Sequence, residues 1–316
     1  MPMARDISDQ DFENMFSNEE EALRSLFDAK TDGSSCPRCR MQTKYYRVRG
    51  RRCFECGVCA YQIYPCKGTP MENSKLPVRT WLRAIHLTLQ EPIGLSSTKL
   101  AARLGVTYKV AWNMNFKLRD LMNDPHQNKL RHIVEIDETY CGGKKKAPAG
   151  VKKIGYTGRE NKIEIIGMRQ KSGELRTFYV GTPTKRKINK LILDNIKIGS
   201  TIYTDESGLY SDLTKLGYKH STVNHSKFQW SKGWTTTNRI EGTWSKLKRG
   251  WRGVYVHLGA KHIESYLQEF NFKRTHCKMA RSKKFELLKN RLFSSVDNHV
   301  SNSVVALAGY AHPPQV

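Results

Sequence analysis

Two apolar, β-branched runs that each finish on an aspartate restrict this chain more than any other feature. Arg131-His-Ile-Val-Glu-Ile-Asp137 alternates Ile133, Glu135 and Asp137 against His132, Val134 and Ile136. Ser200-Thr-Ile-Tyr-Thr-Asp205 is rich in β-branched and aromatic residues. Both read as strands ending on an acid with a Gly-containing turn just beyond, which holds a carboxylate at a sheet edge. A third acid, Glu241, lies in Thr235–Arg249, a helix start with Thr and Asn as cap candidates before Ile240, Trp244 and Leu247 at helical spacing. Glu241 and Lys248 share a helix face, and alone they describe a solvated, ion-paired surface. Three carboxylates on two strands and a helix suit a pair of Mg²⁺ ions, which take carboxylate oxygens and keep positions open for water and phosphate. Two such ions clamp the attacking and leaving oxygens of an in-line phosphoryl displacement. Spacing alone does not select these three acids, because Asp-Asp-Glu triples are common in a chain of this size.

The charge narrows the partner. A net charge of +25 over 316 residues points to a polyanion, most economically nucleic acid. No long apolar run or lipidation signal accompanies it, which argues against a membrane partner. The first residues lack the apolar core of a signal peptide, so the expected location is intracellular: the cytoplasm and nucleoid of a bacterium, or a eukaryotic nucleus. Residues 1–32 differ from the rest. They are acidic, with Phe12, Met15, Phe16, Leu23, Leu26 and Phe27 at helical spacings, and are expected to form one or two short amphipathic helices. Packing onto the chain's own body and contact with another subunit are equally good readings of that arm.

Residues 33–72 read as a zinc ribbon. Cys36-Pro-Arg-Cys39 and Cys53-Phe-Glu-Cys56 are two CxxC knuckles, so Cys36, Cys39, Cys53 and Cys56 are the expected ligands of one Zn²⁺. Cys59 and Cys66 are surplus, and Cys59 is the first substitute ligand. A disulfide framework is the competing reading, without any sign of an oxidising compartment. The ribbon is strewn with basic residues, and Arg49, Arg51 and Arg52 are candidate phosphate contacts.

Residues 73–124 read as helices. Ser97–Leu104, a turn at Gly105 and a helix from Tyr108 to Leu118 follow the helix-turn-helix plan, whose second helix enters the major groove. Thr107, Tyr108, Lys109 and Asn113 are the candidate groove residues, while Trp112, Phe116 and Leu118 read as core. A plain helical hairpin has the same pattern. Asp124–Asn128 is a polar linker to a segment spanning 129–280. Within it, Lys144 and Lys145 lie in a Gly/Pro/Lys loop beside Asp137, and residues 162–168, 174–180 and 185–197 read as strand, strand and helix. Lys246, Lys248 and Arg249, on the Glu241 helix, are further phosphate contacts. His225 is a candidate accessory residue near the metal site, and the Trp residues read as core by default. Residues 281–316 are expected to be a C-terminal tail.

Four stretches occur in order: Val134-Glu-Ile-Asp-Glu-Thr-Tyr-Cys-Gly-Gly-Lys144, Tyr203-Thr-Asp-Glu-Ser-Gly-Leu-Tyr210, Val223-Asn-His-Ser226 and Thr237-Asn-Arg-Ile-Glu-Gly-Thr-Trp-Ser-Lys-Leu-Lys248. Together they resemble the DDE transposases of the ISXO-like group of bacterial insertion sequences, distant relatives of the eukaryotic Merlin transposases. The resemblance covers roughly residues 35–275. It implies an α/β, RNase H-like catalytic domain behind the zinc ribbon and helix-turn-helix. It also implies Asp137, Asp205 and Glu241 as ligands of two Mg²⁺ or Mn²⁺ ions. In relatives the third position is Asn or Glu, so Asn238, one turn before Glu241, is its rival. The implied function is cut-and-paste transposition: binding of terminal inverted repeats, Mg-dependent hydrolysis at the element's end, and strand transfer into target DNA by a homodimer or larger synaptic complex. A catalytically silent DNA-binding regulator and a structure-selective nuclease of the same fold are the alternatives.

Overall fold

The computed structural model describes residues 6–31, 35–124, 128–142, 162–222, 238–255 and 258–294, and the described chain falls into two units. Unit 1 comprises residues up to Glu91, Ser97–Leu121 and the residues from Met279 onward; unit 2 comprises Pro92–Ser96 and Met122–Lys278.

Unit 1 begins with α1 (Asp9–Met15) and α2 (Glu19–Thr31). Ser8 and Asp11 form a capping box at the start of α1, satisfying donors that the helix itself leaves open. The acidic arm packs on its own body. Glu19 accepts the backbone N–H groups of Val78 at 2.9 Å and Arg79 at 3.0 Å. It thereby caps α3 (Val78–Gln90), whose own N-cap residue, Pro77, supplies no side-chain acceptor. Arg79 and Arg83 pair with Glu13, and His86 meets Asp9 at 2.7 Å. A small antiparallel sheet follows α2, built from β1 (Tyr45–Arg47), β2 (Phe54–Cys56) and β3 (Gln62–Ile63). Phe27 of α2 lies 4.4 Å from Phe54, ring centre to ring centre. α4 (Ser97–Leu104) and α5 (Tyr108–Leu121) are joined through Gly105, whose φ of +66° suits a residue without Cβ.

The last described helix, α9 (Arg281–Phe293), also belongs to unit 1. Residues 281–316 were expected as a tail, but their first thirteen form a helix with Phe285, Leu288, Leu292 and Phe293 buried. Phe285 sits 6.2 Å from Phe12 and from Phe16, ring centre to ring centre, and Arg281 pairs with Asp6. Its apolar face at helical spacing, which the Lys and Arg content of the segment obscures, drives that docking.

Unit 2 is built on a mixed five-stranded sheet. Its strands are β4 (Ile133–Cys141), β5 (Ile163–Gln170), β6 (Leu175–Tyr179), β7 (Thr201–Thr204) and β8 (Lys219–Thr222). They lie in the order β6-β5-β4-β7-β8. The first three are joined antiparallel, and β7 and β8 run parallel to β4. Gly173, at φ +121°, makes the β5–β6 turn. The strands' twofold alternation sends residues to two cores. Val134, Ile136, Ile166 and Met168 pack with Ile188 and Ile192 of α6 (Lys185–Asn195). Ile163, Ile165 and Leu175 pack on the other face with Ile240, Trp244 and Leu247 of α7 (Asn238–Gly253) and with Leu267 of α8 (Ile263–Thr275). Between β7 and β8 the described chain has only a short 3-10 turn, Gly208–Tyr210.

Candidate active site and thiol cluster

Asp137 is not at a strand end, as its sequence suggested; β4 continues to Cys141 because β5 pairs along its whole length. It nevertheless faces an open edge. β7 runs beside β4 with Glu135 opposite Tyr203 and stops at Thr204. Two residues further along that register, Asp205 comes level with Asp137, just past the end of its strand. Asp205 accepts the Ser207 N–H at 3.2 Å, and Thr204 Oγ1 lies 2.9 Å from His220 Nε2 on β8. Burial pushes the His220 pKa below its ordinary value.

Carboxylate oxygens of Asp137, Glu138 and Asp205 lie within 4.8 Å of one another. Glu138 was not anticipated. Consecutive strand residues point to opposite faces, so the Asp137-Glu138 doublet reads as one candidate at most. Here Asp137 Oδ1 bends back to accept the Glu138 N–H at 2.8 Å. The Tyr210 hydroxyl donates to Glu138 at 2.5 Å. Burial raises the Glu138 carboxyl to about 7, and the charges of Asp205 and Asp137 push the same way. Asp137 is also raised, first by burial and further by the charges of Asp205 and Glu241, against the pull of the Trp244 hydrogen bond. Acids that resist ionising together while crowded around one point fit a cation, since a bound charge reverses that resistance.

Glu241 lies in the first turn of α7, within electrostatic reach of Asp137 but outside the 4.8 Å group. Asn238 begins the same helix and is exposed. α7 buries Ile240, Thr243, Trp244, Leu247 and Trp251, the spacing expected of one helix face. Trp244 is core, as its sequence implied, and it also does more: its indole Nε1 donates to Asp137 Oδ2 at 2.8 Å. Gly167 makes room for it. On β5 this residue pairs with Asp137, and a Cβ there would fall 2.4 Å from Trp244 Cη2. Lys246 and Arg249 are exposed on α7, and Lys248 is half-buried. Lys144, Lys145 and His225 lie outside the described residues, as do Trp230 and Trp234.

The thiol cluster in unit 1 corrects one expected ligand. Cys36, Cys39, Cys56 and Cys59 bring their Sγ atoms within 4.8 Å of one another; Cys53 is not among them. Cys53 and Cys56 are three apart along an extended segment, so they face opposite ways. Cys53 is buried with its Sγ 3.8 Å from Gln62 Oε1. The two true knuckles, Cys36–Cys39 and Cys56–Cys59, are built alike. Arg40 N–H donates to Cys36 O and Ala60 N–H to Cys56 O, while Cys36 N–H reaches Met41 O and Cys56 N–H reaches Tyr61 O. Arg40 and Ala60 take matching positive φ values of 58° and 55°. Burial opposes the Cys56 thiolate, but hydrogen bonds from the Cys59 and Val58 N–H groups and from the Cys59 and Cys36 thiols together outweigh it and hold the pKa at about 6. Cys36–Cys59 and Cys39–Cys56 sulfur separations are 3.7 and 3.8 Å. A tetrahedron with metal–sulfur bonds of about 2.3 Å has edges of about 3.8 Å, so the four thiols match a zinc-sized shell.

Among the expected nucleic-acid contacts, Arg49 is exposed. Arg51 donates to Gln62 at 3.3 Å and Arg52 to Ser74 O at 2.7 Å, so both side chains also brace the ribbon. Thr107, Tyr108, Lys109 and Asn113 are all exposed near the start of α5, and Thr107 Oγ1 accepts the Val110 N–H at 3.4 Å. Leu118 is buried as expected, but Phe116 is 42% exposed and stacks on half-buried Trp112, with ring centres 5.9 Å apart.

Residues 129–275, which hold all three candidate acids, match the family described as the ISXO2-like transposase domain. That segment of the chain is similar to the transposase domain of the ISXO-like DDE group. A DDE transposase is a metal-dependent enzyme of DNA phosphoryl transfer. A search of curated proteins found no match. Loose structural likeness extends to solved Mos1 assemblies. A pre-cleavage Mos1 transpososome is 11% identical over 66% of this chain and 78% of that one, with a TM-score of 0.25. A Mos1 paired-end complex with the left transposon end is 12% identical over 68% and 79%, with a TM-score of 0.27. Among the described residues, no helix is long and apolar enough to cross a membrane.

Proposed function

We propose that this transposase binds the terminal inverted repeats of its own element, cuts at their ends and joins them to target DNA. The observation that carries the proposal is the convergence of Asp137 on β4 and Asp205 just past the end of the parallel strand β7, with the Glu241 helix docked against β4. The strand order β6-β5-β4-β7-β8, antiparallel then parallel, supports an RNase H-like fold for unit 2.

Asp137, Asp205 and Glu241 would hold two Mg²⁺ or Mn²⁺ ions, with Glu138 beside them; an all-carboxylate donor set fits these hard cations. Such ions polarise a phosphodiester and neutralise charge on the attacking and leaving oxygens. The protein's own part is positional. Asp137 and Asp205 present oxygens from a rigid sheet, Trp244 and the Glu138 N–H fix the Asp137 carboxylate, and exposed Lys246 and Arg249 hold DNA phosphates. Water attacks the phosphodiester at the element's end, and the released 3′-hydroxyl then attacks a target phosphodiester. No covalent protein–DNA bond is required.

In unit 1, Cys36, Cys39, Cys56 and Cys59 would hold one structural Zn²⁺, a reading supported by the sulfur spacing. Residues 33–72 act as a zinc ribbon, and residues 73–124 contain the helix-turn-helix, α4 to α5, with α5 as the groove helix. Two ends must be joined, so the active form is a dimer or larger assembly on DNA, working in a nucleoid or nucleus.

The test incubates the protein with labelled duplex bearing an element end, a target plasmid and Mg²⁺, beside an Asp205→Ala control. Cleavage and joined product, both lost in the control, are expected. Metal-dependent cutting without joining would instead identify a nuclease, and tight binding with neither would identify a regulator.

A further inference from the structure

The face of β4 that carries Asp137 also carries Glu135, two residues earlier, and both reach α7. Glu135, buried to 3% exposure, accepts the Ile240 N–H at 3.0 Å. Asp137 accepts the Trp244 indole N–H at 2.8 Å. Two strand residues advance about 6.7 Å, and the four residues from Ile240 to Trp244 advance about 6 Å along a helix. The two contacts therefore match in pitch and admit a single sliding register between strand and helix. Arg169, opposite Glu135 on β5, closes the arrangement: its guanidinium donates to the Arg239 carbonyl at 3.1 Å and to Thr243 Oγ1. The Arg239 side chain in turn donates to the Lys171 carbonyl at 2.7 Å.

Glu241 lies between the two anchors, one residue beyond Ile240 and three before Trp244. Its depth over the sheet follows the anchors on either side of it. We propose that Glu135, Arg169 and Trp244 are positioning residues that lock α7 to β4, fixing Glu241 and the Asp137 carboxylate in one metal-binding geometry. The lock rests on the reading of Asp137, Asp205 and Glu241 as metal ligands. Trp244 also directs the use of Asp137: each carboxylate oxygen accepts one protein N–H, from Glu138 and from Trp244, and each keeps a lone pair for a cation. Outer donors of this kind orient ligand carboxylates, and their loss typically weakens metal binding by about 10–100-fold.

The test measures Mn²⁺ binding to the full-length chain, through the electron-paramagnetic signal of free Mn²⁺, together with thermal unfolding. Trp244→Phe keeps a buried ring and deletes the N–H; a dissociation constant raised about 10–100-fold is expected, with DNA-end affinity unchanged. Glu135→Gln retains an acceptor for Ile240 and should bind Mn²⁺ close to wild type, whereas Glu135→Ala should resemble Trp244→Phe. Leu247→Ala, on the same buried helix face but touching no carboxylate, should lower the melting temperature and leave the Mn²⁺ constant of the folded protein alone. A Trp244→Phe constant within twofold of wild type overturns the lock. So does a Leu247→Ala loss of Mn²⁺ affinity equal to that of Trp244→Phe, which would reduce the effect to packing. Wild-type protein that binds no Mn²⁺ in an Asp205-dependent way overturns the ligand assignment, and the lock with it.

Discussion

Gly167→Ala tests whether the approach of α7 to the sheet is as close as described. The added Cβ would lie 2.4 Å from Trp244 Cη2, 2.7 Å from Cζ2 and 2.9 Å from Ile240 Cδ1, whereas ordinary contact begins at 3.4 Å. The indole must therefore withdraw by about 1 Å, because the strand beneath it is held by partners on both sides. That stretches the 2.8 Å bond from Nε1 to Asp137 beyond hydrogen-bonding range. Overpacking of this kind costs about 1–3 kcal/mol, and a hydrogen bond to a charged group contributes about 1.5–3 kcal/mol. A total of about 2.5–6 kcal/mol is expected, moving a urea midpoint by about 1–3 M at a slope of about 2 kcal/mol/M. The assay is equilibrium urea unfolding of wild type, Gly167→Ala, Trp244→Phe and the double variant. A Phe ring lacks the two clashing indole atoms and leaves only the contact with Ile240 Cδ1, the end of a flexible side chain. In that background Gly167→Ala should cost clearly less, by a coupling of about 0.5–3 kcal/mol typical of residues in direct contact. Equal costs in both backgrounds, or a Gly167→Ala protein as stable as wild type, would refute the reasoning.

The thiol cluster makes a choice that zinc analysis reads directly. Cys59→Ser should lose the bound zinc and destabilise unit 1, whereas Cys53→Ser should keep one zinc per chain; the reverse pattern would restore the spacing first suggested by the sequence. Glu138 predicts a pH effect on metal-free protein. Its carboxyl is raised from 4.5 to about 7, so the folded state holds the proton more tightly than the unfolded chain. The stability it contributes is present below about pH 4.5 and lost as pH rises through 7. Glu138→Gln should therefore gain on wild type by up to about 3 kcal/mol between pH 5 and 8. A difference that stays flat with pH would count against the burial of that carboxyl.

Much of unit 2 was legible because its strands are long and alternate cleanly. In Ile133–Asp137, Val134 and Ile136 enter one core while Glu135 and Asp137 reach α7 on the other face, as the period of two requires. The α7 face at Ile240, Trp244 and Leu247 is equally plain. Asp137 was misplaced on its strand because strand length is set by partners, and the β5 ladder extending to Cys141 has no signature within β4 itself. Glu138 was missed because alternation argues against adjacent residues sharing a site, and only the bent Asp137 carboxylate reconciles them. Trp244 was seen as core, and correctly; a hydrogen bond from a buried indole to a partner 107 residues away leaves no local trace. The cluster of four thiols differs by one cysteine from the set read in the sequence, since Cys53-x-x-Cys56 and Cys56-x-x-Cys59 are the same pattern in one dimension. The fold of the hairpin, with Cys53 turned inward, breaks the tie.

The docking of α9 in unit 1 has a consequence for how the protein is made. Ribosomal synthesis delivers the chain from its first residue, and domains usually fold as units when they emerge. Unit 1 starts first, yet the ring that fills the space beside Phe12 and Phe16 is Phe285, encoded after the whole of unit 2. The catalytic half can mature while the half that begins the chain still waits for its last helix. A premature stop between residue 278 and Phe285 thus leaves an intact sheet with its acids in place, beside a first unit without the ring that packs on Phe12 and Phe16.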